Sequence, residues 1–206
     1  MIFARHDRPG ALEQSNCLAD VRGAQIVEFA VALPLLVVFV VGIFDFSGAF
    51  TLKQKLTNIS RDAARLAAAD AATDILKPRS TVPASVDDSY QAILRYFIVN
   101  NLNNCGITEA STGTAPTWIF TSPSGSLPCS LTITINRGYY LPAAAATQIA
   151  PADCQPATGT GPQVVATCVN IQYSYHWHFG KVANLLGPGT TLPQNIIVTS
   201  IAMNEN

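Results

Sequence analysis

The residues that most constrain this chain run from Phe29 to Phe44, where no position carries a charge, bounded by Glu28 before them and Asp45 after. As a helix rising about 1.5 Å per residue the run spans roughly 24 Å, short of a hydrocarbon core of roughly 30 Å. Extended from Ala24 to Phe50, a continuous helix is long enough to cross, with Glu28 and Asp45 close to the two interfaces. A transmembrane helix is therefore expected over about residues 26–50. The run exceeds the apolar core of about 7–15 residues found in secretory signals, and no A-x-A site follows it, so it reads as a retained anchor.

The remaining composition fits that reading. Of 206 residues, 49% are hydrophobic and only 12% charged, with a formal net charge of -1. Such a charged share is about half that of an average soluble domain, and the absence of a basic surplus argues against nucleic acid as a partner. Cys17 precedes the run, whereas Cys105, Cys129, Cys154 and Cys168 follow it. An even set in a Gly-, Pro- and Thr-rich region reads as two disulfides in an oxidising compartment, which puts the amino terminus on the cytoplasmic side. Basic residues alone do not decide orientation, because Arg5, Arg8 and Arg22 are matched by Lys53, Lys55, Arg61 and Arg65 beyond the run. Three connectivities are open, and the sequence-local pairs Cys105–Cys129 and Cys154–Cys168 are favoured.

Helical periodicity outlasts the apolar run. Leu52, Leu56, Ile59, Ala63 and Leu66 recur at steps of three and four, so an amphipathic continuation is expected to about Ala72 or Leu76, ended by Lys77-Pro78. Ser85 is the expected N-cap of a second helix whose stripe is Tyr90, Ile93, Leu94, Phe97, Ile98 and Leu102, extending to about Asn104 with Gly106 as the stop. Beyond it the pattern alternates. Trp118–Phe120, Leu131–Ile135, Val169–Phe179 and Ile196–Ile201 are the expected strands, with a helical turn at Lys181–Leu186. The expected class is α+β: a long amino-terminal helix, one further helix and a small antiparallel sheet of about four strands. Met1–Val21 reads as a short leader, the long helix runs on to about residue 76, and 77–206 form the second domain.

Catalytic motifs are missing from the sequence. His176 and His178 could share a strand face as an H-x-H pair, yet no third ligand lies near them in sequence, so no metal or cofactor is expected. Nothing resembles a nucleophile elbow, a phosphate loop or an H-E-x-x-H helix, and no enzyme is expected. Glu28 is the unusual group. A carboxylate inside an apolar helix costs roughly 2.5–3.5 kcal/mol at the centre and less near an interface, so it either marks the interface or is paired.

Gly23 followed by AQIVEF places Glu28 fifth after a glycine and directly before Phe29 and the apolar run, which resembles the processing site of type IV pilin-like proteins. The wider stretch from Arg22 to Ala69, with its LPLL turn at Leu33–Leu36, Asp45-Phe46 and the Arg61–Arg65 segment, is similar to the TadE family of pseudopilins of the Tad (Flp-type) pilus. The resemblance implies a pilin-like fold and cleavage between Gly23 and Ala24 by a prepilin peptidase at the cytoplasmic face. It further implies that Glu28 meets the new amino terminus of a neighbouring subunit. The expected partners are the peptidase, other pilins and pseudopilins, and an inner-membrane assembly platform. The expected location is a bacterial inner membrane with the second domain in the periplasm, or an extracellular pilus. An uncleaved, signal-anchored binding or adhesion domain is the other reading of the same run.

Overall fold

The computed structural model describes residues 21–70, 82–112, 115–123, 129–142, 154, 163–178 and 192–205. The leader residues before 21, the segment holding Lys77-Pro78 and the helical turn expected at Lys181–Leu186 lie outside them. The chain divides into two units, Met1–Gly42 and Ile43–Asn206. Helix α1, Val21–Ala69, begins in the first and ends in the second. Its Gln25–Ala69 portion is long and apolar enough to cross a membrane, with a mean hydropathy of 2.7 in its apolar window and none of that window buried against protein. Among the described residues this one amino-terminal apolar helix suggests a single-pass membrane anchor. Pro34 lies inside α1 without ending it; a proline removes one N–H, and the remaining turns carry the helix on either side.

The second unit is α+β. Helix α2 spans Ala84–Val99, and five strands follow: β1 Ser111–Thr112, β2 Thr117–Thr121, β3 Leu131–Pro142, β4 Gln163–Ser174 and β5 Asn195–Met203. They form one antiparallel sheet in the order β1-β2-β3-β4-β5, so each strand pairs with its neighbour in sequence. The fifth strand is the two-residue β1, too short to leave an alternation in the sequence. Period-two alternation on β2, β3, β4 and β5 lines one face with rows of apolar side chains. Phe120, Ile133, Ile171 and Val198 lie across from one another in register, as do Trp118, Ile135, Val169 and Ser200.

Both helices close this face. Leu56, Ile59, Ala63 and Ala64 of α1 and Val86, Tyr90, Ile93 and Phe97 of α2 share a core with the sheet rows. Tyr90 stacks on Phe120 with ring centroids 4.2 Å apart, and Phe97 meets Tyr173 edge-on at 5.8 Å. Fully burying a large apolar side chain is worth roughly 1.5–3 kcal/mol, so these positions supply most of the drive to fold. Ser60 and Ser200 join α1 to β5 through a buried hydroxyl pair at 2.6 Å, and the Ser89 hydroxyl donates to the Ala63 carbonyl at 2.9 Å.

Several expected boundaries move. Helix α1 ends at Ala69 with a bend at Asp70, short of Ala72. Ala67 and Ala68 are buried while Leu66 is exposed, because the larger side chain lies on the flank of the stripe and the small ones allow close approach to the sheet. The stripe is thus Leu52, Leu56, Ile59 and Ala63 continued by Ala67. Ser85 does not cap α2: Pro83 holds the cap position and the Ser85 hydroxyl is turned to Arg137. Helix α2 closes at Asn100, followed by Asn101 at φ 52°, not at Gly106. Strand β4 starts six residues before Val169 and stops at Ser174, so Tyr175–His178 lie beyond the strand.

Both disulfides join sequence neighbours, Cys105 to Cys129 and Cys154 to Cys168. The second belongs to a separate small cluster with Tyr139 and Ala166. Replacing Cys105 and Cys129 together by alanine is expected to lower unfolding stability by about 3 kcal/mol, from the loop that the bond closes over a separation of 24 residues. Urea titration of the oxidised wild type and the double variant measures it; a loss under about 1 kcal/mol would mean that packing holds this loop without the bond.

Tyr90 carries the opposite expectation. Its side chain is fully buried, and its hydroxyl has no hydrogen-bond partner among the described residues. Burial, with Glu109 and Asp87 adding to it, pushes the phenol up to about 12. Because the folded value lies above the unfolded one, near 10, the contribution is constant at lower pH and is lost as pH rises from about 10 to about 12. Tyr90→Phe should therefore raise stability at neutral pH by about 1 kcal/mol and flatten the decline above pH 10. Equal alkaline slopes for the two proteins would exclude this account.

Candidate functional site

Two clusters of residues carry the functional signals, one in each unit. In the first, Gly23 and Ala24 lie in the opening turn of α1. Glycine is a poor helix former, by about 1 kcal/mol relative to alanine in a helix interior, so Gly23 adds little to the stability of this turn. Gly23, Val27, Glu28, Val31, Ala32 and Leu35 share one helical face at steps of three, four and five. Glu28 is exposed on it, as is Phe29 beside it. An exposed carboxylate amid valine and leucine, on a face that no other described residue covers, offers a partner both an apolar stripe and a charge. In a membrane that charge is costly unless an opposite one meets it.

The second cluster sits where α1 enters the second unit, at Asp45. This carboxylate is only 6% exposed. Tyr175 reaches it from beyond β4, its hydroxyl lying 3.0 Å from the Asp45 carbonyl and 3.2 Å from Oδ1. Gly48, one turn along α1, makes room: a Cβ there would sit 2.9 Å from the Tyr175 oxygen. Burial raises the Tyr175 phenol above its ordinary value, and the Asp45 charge and hydrogen bond raise it further, so Tyr175 stays protonated and donates at neutral pH. His178 Nδ1 approaches Asp45 Oδ1 at 3.4 Å from an imidazole that is largely exposed. Water screens a contact of that kind, and it is worth little compared with the tyrosine bond. Trp177 stands between them and packs edge-on against both Phe46, at 5.3 Å, and Tyr175, at 4.9 Å.

His176 and His178 have ring centroids 6.5 Å apart, and the described residues contain no group of three or more His, Cys, Asp or Glu able to hold an ion.

Sequence reasoning missed Arg137 altogether. It follows Leu131, Ile133 and Ile135 at the same parity on β3, so its side chain enters the helix-facing layer, where it is fully buried. Its guanidinium donates to the Ser85 hydroxyl at 2.6 Å and to the Asp70 carbonyl at 2.7 Å, joining the start of α2 to the end of α1. The carbonyl end of a helix carries partial negative charge, which favours a cation there. A bulge follows, with the register shifting between Asn136 and Tyr139. Gly138 lets the strand pass Pro116, whose Cγ would lie 2.5 Å from an added Cβ. Extending the period-two count by one step would have pointed Arg137 inward; only its charge argued otherwise.

Residues 23–65 match the family model described as TadE-like protein. The match opens on Gly23, includes Glu28, Phe29, Asp45 and Phe46, and stops at Arg65, leaving α2 and the sheet outside it. Comparisons with curated proteins and with solved structures produced no match. A TadE-like segment suggests a Tad pilus-associated protein.

Proposed function

We propose that this chain is a minor pseudopilin of a Tad (Flp-type) pilus or a related secretion machine, a non-enzymatic subunit that a prepilin peptidase cuts between Gly23 and Ala24. The observation that carries the reading is the TadE-like match over residues 23–65, which begins at the proposed cleavage glycine. Glu28, fifth after that glycine, exposed and set in an apolar helical face, supports it. Cleavage would free an amino group at Ala24, and that cation on a neighbouring subunit offsets the cost of carrying Glu28 into the membrane. The Leu52 to Ala63 stripe then serves to hold the sheet on the helix, so that a subunit pulled by its anchor brings its second domain along. Partners in this reading are the peptidase, the other pilins and pseudopilins of the system, and an inner-membrane platform. The second domain lies in the periplasm, where its disulfides form.

Intact-mass spectrometry of the chain purified from peptidase-competent cells tests the proposal. An amino terminus at Ala24 is the expected result; a chain that keeps its leader there points instead to an uncleaved, signal-anchored binding domain. Glu28→Ala should leave the chain inserted in the membrane and cleaved while reducing pilus assembly or secretion by roughly tenfold or more, the effect of about 1.4 kcal/mol or more of lost pairing. Undiminished assembly by this variant would reduce Glu28 to an interface marker.

A further inference from the structure

We propose that the edge of the second unit formed by Phe46, Phe50, Trp177 and Ile197 is a lipid-binding surface that rests in the polar–apolar boundary of a bilayer. The inference rests on reading the apolar part of α1 as a membrane anchor, whose end carries Phe46 and Phe50, and adds Trp177 and Ile197 from outside the helix to the lipid-facing surface.

Large apolar side chains gather here with little cover among the described residues. Phe46 is 58% exposed, Phe50 63% and Ile197 43%. They line a groove of about 280 Å³ with Trp177, Pro193 and Lys53. Trp177 comes from the far end of the chain, yet it is packed on Phe46 and its Nε1 donates to the Pro193 carbonyl at 2.6 Å. Its one polar atom is thus satisfied within the protein while part of the ring remains at the surface. With its N–H satisfied inside the protein, the ring offers apolar surface at no polar cost, and Trp rings are enriched at membrane interfaces.

Lipid fits this edge better than a second copy of the chain for two reasons. Phe46 follows the apolar run by two residues and Phe50 by one further turn, so within about 10 Å of helix rise they face whatever medium takes the end of that run. The polar groups at the edge are also those a phosphate-bearing surface would meet. Lys53 is exposed at the groove with a stem that can lie on the apolar side chains while its ammonium reaches out, and His176 and His178 are exposed beside Trp177. The nearby carboxylate, Asp45, is instead buried beneath Tyr175 and His178 and turns no charge toward the lipid.

The test uses the full chain reconstituted at low density into vesicles of phosphatidylethanolamine and phosphatidylglycerol, with nitroxide quenchers placed either high or deep on the acyl chain. The protein has two tryptophans, and Trp118 is buried in the core. The difference between wild type and Trp177→Phe therefore reports Trp177, and Trp118→Phe reports it a second time. The expected result is that the high quencher reduces Trp177 emission by roughly twofold, and more strongly than the deep quencher. Equal quenching of wild type and Trp177→Phe, in chains that still float with the vesicles, would overturn the surface and leave the anchor standing. A chain that does not float overturns the anchor and this inference with it. Trp177 emission indifferent to both quenchers but changing with protein density would assign the edge to a second copy and overturn the lipid assignment.

Discussion

Gly23→Leu is expected to leave the chain uncut in cells that process the wild type, so that mass spectrometry finds the full precursor where Ala24 would otherwise be the amino terminus. Two physical effects act together. A peptidase that binds the backbone at close quarters meets a branched side chain where there had been none. The opening turn of α1, which contains Gly23 and must unwind to be cut, also loses its weakest residue. The helical preference of about 1 kcal/mol that separates glycine from alanine amounts to roughly a fivefold change in the opened population. Gly23→Ala should accordingly slow processing about fivefold through helix stability, with little steric effect, while leucine adds bulk and blocks it. Normal cleavage of the leucine variant would remove Gly23 as the processing site, whatever the fate of the rest of the proposed function.

Arg137→Ala is expected to be the most damaging single change in the folded domain, lowering its stability by about 4 kcal/mol. The substitution empties a fully buried volume and strips a charged donor from the Ser85 hydroxyl and the Asp70 carbonyl. Each acceptor left dry costs about 1–3 kcal/mol, and the cavity adds to that. Arg137→Met fills the volume and should cost about 2 kcal/mol, separating the packing loss from the hydrogen bonds. A buried guanidinium also carries a desolvation penalty, and replacing buried ions by apolar residues can be neutral or stabilising. The sign for the methionine variant thus decides which effect wins. Urea titration of both variants measures it; a methionine variant as stable as the wild type would show that Arg137 does not clamp the two helices energetically.

Much of the fold was legible because it is written in local periodicity. The helical stripe at Leu52, Leu56, Ile59 and Ala63 and the alternation at Leu131, Ile133 and Ile135 each report a face that the structure buries. The stripe misled only at Leu66, where size and hydrophobicity pointed inward and the small Ala67 was buried in its place. The expectation that the alternation from Val169 remains a strand through Phe179 also failed, since β4 stops at Ser174 and Tyr175 bonds across to Asp45. Alternation measures which residues seek burial; it does not say whether backbone pairing continues beneath them.

The sequence by itself determined the membrane-length apolar run, the glycine and glutamate that precede it and the α+β class, and among three open connectivities it favoured the local cysteine pairs that the structure forms. Each of these depends on residues close together in the chain, where spacing is already geometry. The tertiary structure alone decided that Asp45 is covered by Tyr175, that Trp177 packs on Phe46, and that Arg137 joins Asp70 to Ser85. Those contacts link residues separated by 52 to more than 130 positions. No spacing rule reaches so far; the sheet register and the helix seated on it bring them together.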